Sequence, residues 1–90
     1  MRLPRGIRDK SGDTIRTDDD ARIYVLEKLK VQGNYHFWQR AARLVLDEAS
    51  LESLTQQIEL ALLLSGDLDV EFAASEALKA SKVSQASDLS

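Results

Sequence analysis

The sequence predicts an all-α fold: a compact bundle of three to four short helices behind an irregular N-terminal arm. Three observations predict it. Helix-start signals stand ahead of apolar stretches at Thr17-Asp18-Asp19-Asp20 and at Ser50, glycines close two of those stretches at Gly33 and Gly66, and the apolar residues of 51–62 recur at helical spacing. Residues 1–16 carry Pro4, Gly6 and Gly12 with little hydrophobic periodicity. They read as a basic flexible arm, at most a short strand or hairpin near residues 7–17 with Ile7 and Ile15 on its strands. A helical domain is expected over 17–83 and a disordered tail over 84–90.

The first helix begins at Thr17, whose hydroxyl can cap it, and three aspartates then lie where the helix dipole favours negative charge. It runs to about Gln32, burying Val25, Leu26 and Leu29. Gly33 ends it and Asn34 is placed to cap the next. The second helix covers roughly 35–48. Its start gathers Tyr35, His36, Phe37 and Trp38, which include the only histidine and the only tryptophan of the chain. In projection His36, Gln39, Arg40, Arg43 and Asp47 share a polar face. Phe37 aligns with Ala41 and Leu44, and Trp38 with Ala42 and Val45, so both rings are expected as core anchors.

Phe37, Leu44, Leu51 and Ile58 recur every seventh residue, which would suit one long helix, but Asp47 occupies a core-type position of that repeat. A break near 48–50 is therefore expected, with Ser50 capping a third helix that stops at Gly66. On that helix Leu51, Leu54, Ile58, Ala61 and Leu62 share one face. Leu60, Leu63 and Leu64 point elsewhere, so its last turn is apolar all round. Asp67 or Asp69 caps a fourth helix over roughly 70–82. Val70, Ala73, Ala74 and Ala77 form a stripe on it suited to close packing, and Phe72 lies off that stripe with Glu76 and Lys79.

Composition narrows the function classes. Ninety residues make one domain able to bury a modest core. No cysteine is present, so disulfides and thiolate metal sites are excluded, and the lone His36 lacks any motif tying it to a serine nucleophile. Neither an enzyme nor a bound cofactor is expected. The window Asp9–Asp20 places oxygen side chains as a calcium loop would. Thr14 nevertheless replaces the turn glycine, Asp20 replaces the bidentate glutamate, and Pro4 and Gly6 spoil the entering helix. No apolar run approaches membrane-spanning length and no signal peptide is recognised, which predicts a cytoplasmic protein with no membrane partner.

Charge is polarised. Residues 1–43 hold ten Lys/Arg against six Asp/Glu, and residues 44–90 hold two against nine. Such asymmetry suggests a partner for one half or the other, or else a solvated surface whose halves differ by chance or pair head to tail. The main expectation is a non-enzymatic interaction or regulatory module, self-associating as a homodimer through Leu60, Leu63, Leu64 and Phe72. One alternative is a DNA-binding regulator of the antitoxin or plasmid-control sort. It would place Arg2, Arg5, Arg8, Lys10 and Arg16 of the arm, with His36, Arg40 and Arg43, on phosphate, and its acidic half on a basic partner. A strand at Thr14–Thr17 followed by two helices is similar in element order to a ribbon-helix-helix subunit, which implies a strand shared between two copies. A small inhibitor or immunity-type protein is a further alternative.

Overall fold

The computed structural model describes the backbone of residues 1–89 and the side-chain surroundings of residues 1–79. The elements run β1 (Arg2–Arg8), β2 (Thr14–Thr17), α1 (Asp18–Gln32), α2 (His36–Leu46), α3 (Leu51–Ser65) and α4 (Val70–Leu89). The protein is mostly helical, but it is not all-α.

The N-terminal segment is the main correction. Instead of an irregular arm, the segment forms the antiparallel hairpin that the sequence also allows, with Ile7 paired to Ile15 as that option places them and Arg8 to Thr14. It is longer than expected, starting at Arg2, with an irregularity in register between Arg2 and Ile7. Leu3, Ile7 and Ile15 are buried in the core that α1, α2 and α3 share. The alternation was there to be read at odd positions 3, 5, 7 and 9. Two of those four are Arg5 and Asp9, and charges at inward positions hide a strand's period. One edge of β2 pairs with β1 of its own chain.

Asp9 makes the tight turn possible. Its Oδ1 accepts hydrogen bonds from the Ser11 amide at 3.0 Å, the Ser11 hydroxyl at 2.6 Å and the Asp13 amide at 3.0 Å. Gly12 takes the left-handed backbone conformation, φ 99°, that the return requires. The other carboxylate oxygen accepts from the Tyr24 hydroxyl of α1 at 2.7 Å. Burial works to raise the Asp9 pKa, but the hydrogen bonds from Ser11, Tyr24 and the backbone outweigh it, so the group sits below the usual carboxylate value. The Tyr24 hydroxyl is pushed up by burial and by its bond to Asp9.

The helix boundaries follow local chemistry. Thr17 and Asp20 form a capping box, the Thr17 hydroxyl accepting from the Asp20 amide at 3.1 Å. The inward stripe of α1 is Ala21, Tyr24 and Val25, with Leu29 packed beside it. Leu26, expected in the core, is instead half exposed, lying a full 100° step beyond Val25. Gly33 ends α1 in right-handed geometry, where a Cβ would run into the Leu29 carbonyl oxygen. The cap position of α2 is Tyr35 rather than Asn34, and no side chain satisfies it. The break between α2 and α3 falls where expected, with Glu48 at φ 51° and the Ser50 hydroxyl accepting from the Ser53 amide at 3.2 Å.

The expected buried face of α3 is observed at Leu54, Ile58, Ala61 and Leu62, joined by Thr55. Trp38 of α2 is fully buried and donates its indole N–H to Gln32 at 3.0 Å. Gly66 closes α3 in the left-handed conformation, φ 77°. The connection that follows docks on the hairpin: the Lys10 amide donates to the Asp67 carbonyl at 2.8 Å, and the Asp69 amide to the Arg8 carbonyl at 2.9 Å. The Asp69 side chain then caps α4 through the Phe72 amide at 3.0 Å. The stripe of α4 expected to pack inward does not do so. That helix rests on β1 through the opposite side, which carries Phe72 and Glu76. It extends to Leu89, through most of the tail expected over 84–90, because no glycine or proline after Gly66 interrupts it; Ser90 lies outside the described residues.

Replacing Tyr24 by Phe removes the donor to a buried carboxylate and is expected to cost about 1.5–3 kcal/mol of unfolding free energy in a urea titration at neutral pH. The sign of the acid response follows from the lowered Asp9 pKa. The unfolded chain binds a proton before the folded one does, so this stability is present above the ordinary value of 3.8 and is lost as pH falls through the folded value. Over that acid interval the gap between wild type and Tyr24→Phe should narrow.

Candidate functional site

Two helices build an open concavity on the described surface. α2 contributes His36, Phe37, Gln39, Arg40 and Arg43, and α3 contributes Gln57, Leu60 and Leu64, around an open groove of about 500 Å³. Phe37 forms part of the floor. The Gln57 side-chain amide donates to the Phe37 carbonyl at 3.1 Å and ties the two helices together across that floor. A second concavity, bounded by Val31, Gln32, Asn34, Tyr35 and Ser65, shares Phe37 and Leu64 with the first. Tyr35 stacks on Phe37 with ring centroids 5.2 Å apart. An apolar strip thus runs from the end of α1 across the start of α2 to the last turn of α3.

Nothing in the described chain covers the leucines of that turn. Leu60 is 44% exposed, Leu63 57% and Leu64 61%. The rim on the α2 side is cationic. Arg43 reaches Asp47 only at 3.9 Å, with both side chains largely in water, and Arg40 forms no ion pair among the described residues. A surface with an apolar floor and a one-signed rim is suited to burying a complementary protein segment.

The structure redistributes the residues expected to act. Leu60 and Leu64 join His36, Arg40 and Arg43 in one groove, so residues expected for protein contact and for phosphate contact share a site. Leu63 flanks it. Phe72 does not belong there: its ring lies on the hairpin with the Arg8 guanidinium 4.3 Å from its centroid and Arg16 at 5.9 Å. Phe37, expected only as a core anchor, is half-buried and contributes its remaining surface to the groove.

The basic arm also changes character. Arg5 donates through Nε to both Glu59 carboxylate oxygens at 3.1 and 3.0 Å and through a terminal nitrogen to Glu52 at 3.2 Å. Its hydrogen bonds to Glu59 hold the guanidinium pKa above its ordinary value despite the opposing effect of burial. Arg8 donates to the Thr14 hydroxyl at 3.1 Å and covers Phe72. Only Arg2, Lys10 and Arg16 of the five remain as exposed cations. The oxygens of the calcium-like window turn to their own backbone, Asp9 into the hairpin turn and Asp20 to the Arg16 and Thr17 amides at 3.2 and 3.3 Å. Among the described residues no group of three or more side chains could hold a metal ion.

Comparison with protein-family models, with curated proteins and with solved structures finds no match for this chain. What the surface can do is read from its own chemistry.

Arg5 separates a structural from a phosphate-binding role. Arg5→Ala strands Glu59 against the hairpin and is expected to lower the unfolding free energy by about 1.5–3 kcal/mol, measured by urea denaturation. A phosphate-reaching arginine in water would leave stability unchanged within about 0.5 kcal/mol.

Proposed function

We propose that this chain is a non-enzymatic interaction module that self-associates through the exposed end of α3 and the adjoining α2–α3 groove. One observation carries the reading: Leu60, Leu63 and Leu64 stand in water on one turn of α3, Leu60 and Leu64 of them beside Phe37, on a domain whose core is already closed without them. Burying each such side chain against a partner is worth about 1.5–3 kcal/mol, and three or four together suffice for micromolar association once the cost of association is met. The cationic rim supplies orientation and encounter rate more than affinity.

DNA binding through a basic arm is the weaker alternative, because Arg5 and Arg8 are engaged within the fold. A phosphate surface would have to rest on His36, Arg40 and Arg43 with Arg2, Lys10 and Arg16, which lie on separate elements, α2 and the hairpin.

Sedimentation velocity at micromolar chain concentration tests the proposal. A concentration-dependent dimer is expected, with Leu63→Asp and Leu64→Asp each shifting it to monomer by at least about tenfold in Kd while thermal unfolding stays within a few degrees. A strict monomer overturns the proposal. So does low-salt binding to duplex DNA that is abolished by Arg40→Ala with Arg43→Ala while the leucine variants leave the chain's behaviour unchanged.

A further inference from the structure

The groove and α4 carry matching unpartnered surfaces. Helix α4 is mounted with its apolar side outward. Toward the hairpin it presents Phe72 and Glu76, packed so closely that a Cβ on Gly6 would come within 2.8 Å of the Glu76 carboxylate and 3.3 Å of the Phe72 ring. Away from the hairpin, Val70, Ala74, Ala77 and Leu78 recur at i, i+4, i+7 and i+8. Val70 is 62% exposed and Leu78 61%. An amphipathic helix ordinarily turns such a face to its own core. Here that face is left for something else.

We propose that the α2–α3 groove receives the outward face of α4 from a second copy of this chain. The inference rests on the self-association reading above and names its partner surface. Charge favours this occupant. The groove rim holds Arg40 and Arg43, whereas α4 begins at Val70 and its side away from the hairpin carries Glu71, with no cation before Lys79. Pairing the groove face with itself would put two rows of Arg40 and Arg43 into one interface with no carboxylate in the groove lining to answer them, which costs affinity. Size agrees as well. Val70–Leu78 spans nine residues, roughly 13 Å, against roughly 16 Å for α2, and alanines at 74 and 77 allow a close helix approach over Phe37, Leu60 and Leu64. Such a contact joins unlike surfaces. It closes as a dimer when each copy lends its α4 to the other, and otherwise propagates into a chain.

The test uses the full chain in sedimentation velocity and concerns residues exposed to water, so folding is not at stake. Glu71→Arg alone, and Arg40→Glu with Arg43→Glu, are each expected to raise the association Kd by about tenfold or more, and the triple variant to return it to within about threefold of wild type. Ala74→Gln with Ala77→Gln, which preserves helix propensity but blocks close approach, should weaken association to a similar extent. A wild-type chain that stays monomeric overturns both self-association and this contact. Association that is lost in Leu63→Asp yet indifferent to the α4 variants leaves self-association standing and overturns the α4 contact. Weakening by the α4 variants without rescue in the triple variant, or without any effect of Arg40 and Arg43, overturns it too.

Discussion

The buried carboxylate of Asp9 is the constraint on which the rest of the structure depends. A charged group taken from water needs every lone pair answered, and the two oxygens accept from two backbone amides and two hydroxyls. Those donors come from the hairpin turn and from α1, so one ion holds the strand connection and the first helix in register. The strand residue beside it, Arg8, accepts through its carbonyl from Asp69, and the next one, Lys10, donates to Asp67. The entry to α4 is therefore positioned by the same few residues. Rotating Asp9 away would release the turn, the first helix and the last connection together.

With the hairpin locked in place, the helices have little choice of what to bury. Leu3, Ile7 and Ile15 fill the side of the core that a further helix would otherwise cover, and α4 rests on the outward face of the hairpin. There it meets a surface of arginine and glycine rather than an apolar one, and its aromatic and charged face is the complementary one. Phe72 stacks on Arg8, and the absence of a side chain at Gly6 lets the helix approach. The outward face of α4 is left over because the hairpin occupies the side of the core that it would otherwise cover.

The legible parts of the fold were those written in local chemistry. Thr17, Ser50, Gly66 and Asp69 each act within a turn or two of themselves, and each does what its side chain or backbone freedom dictates. The hairpin was legible only as an option around Ile7 and Ile15, because Arg5 and Asp9 occupy inward positions and their partners Glu52, Glu59 and Tyr24 lie on helices distant in sequence. Tyr24 was overlooked in favour of Leu26, since a tyrosine scores as core only once its hydroxyl has somewhere to go. The surplus leucines of α3 were legible from projection. That they would share a groove with Arg40 and Arg43 was not, because projecting one helix at a time leaves the pairing of α2 with α3 undetermined.

The polarised charge of the chain, which the sequence leaves open between an external partner and pairing of its two halves, is in part such an internal bond. Arg5 of the basic half is held by Glu52 and Glu59 of the acidic half across the hairpin–α3 contact. Arg8, though no carboxylate bonds it, is committed to Thr14 and to the face of Phe72. Charges spent in this way cannot also steer an encounter. What remains for recognition is smaller and more local: a short row of cations on α2, set directly above exposed leucines of α3. The information about a partner therefore lies less in the charge of either half than in the place where unsatisfied cations and unsatisfied apolar surface coincide. On the described surface, the α2–α3 groove is where they do.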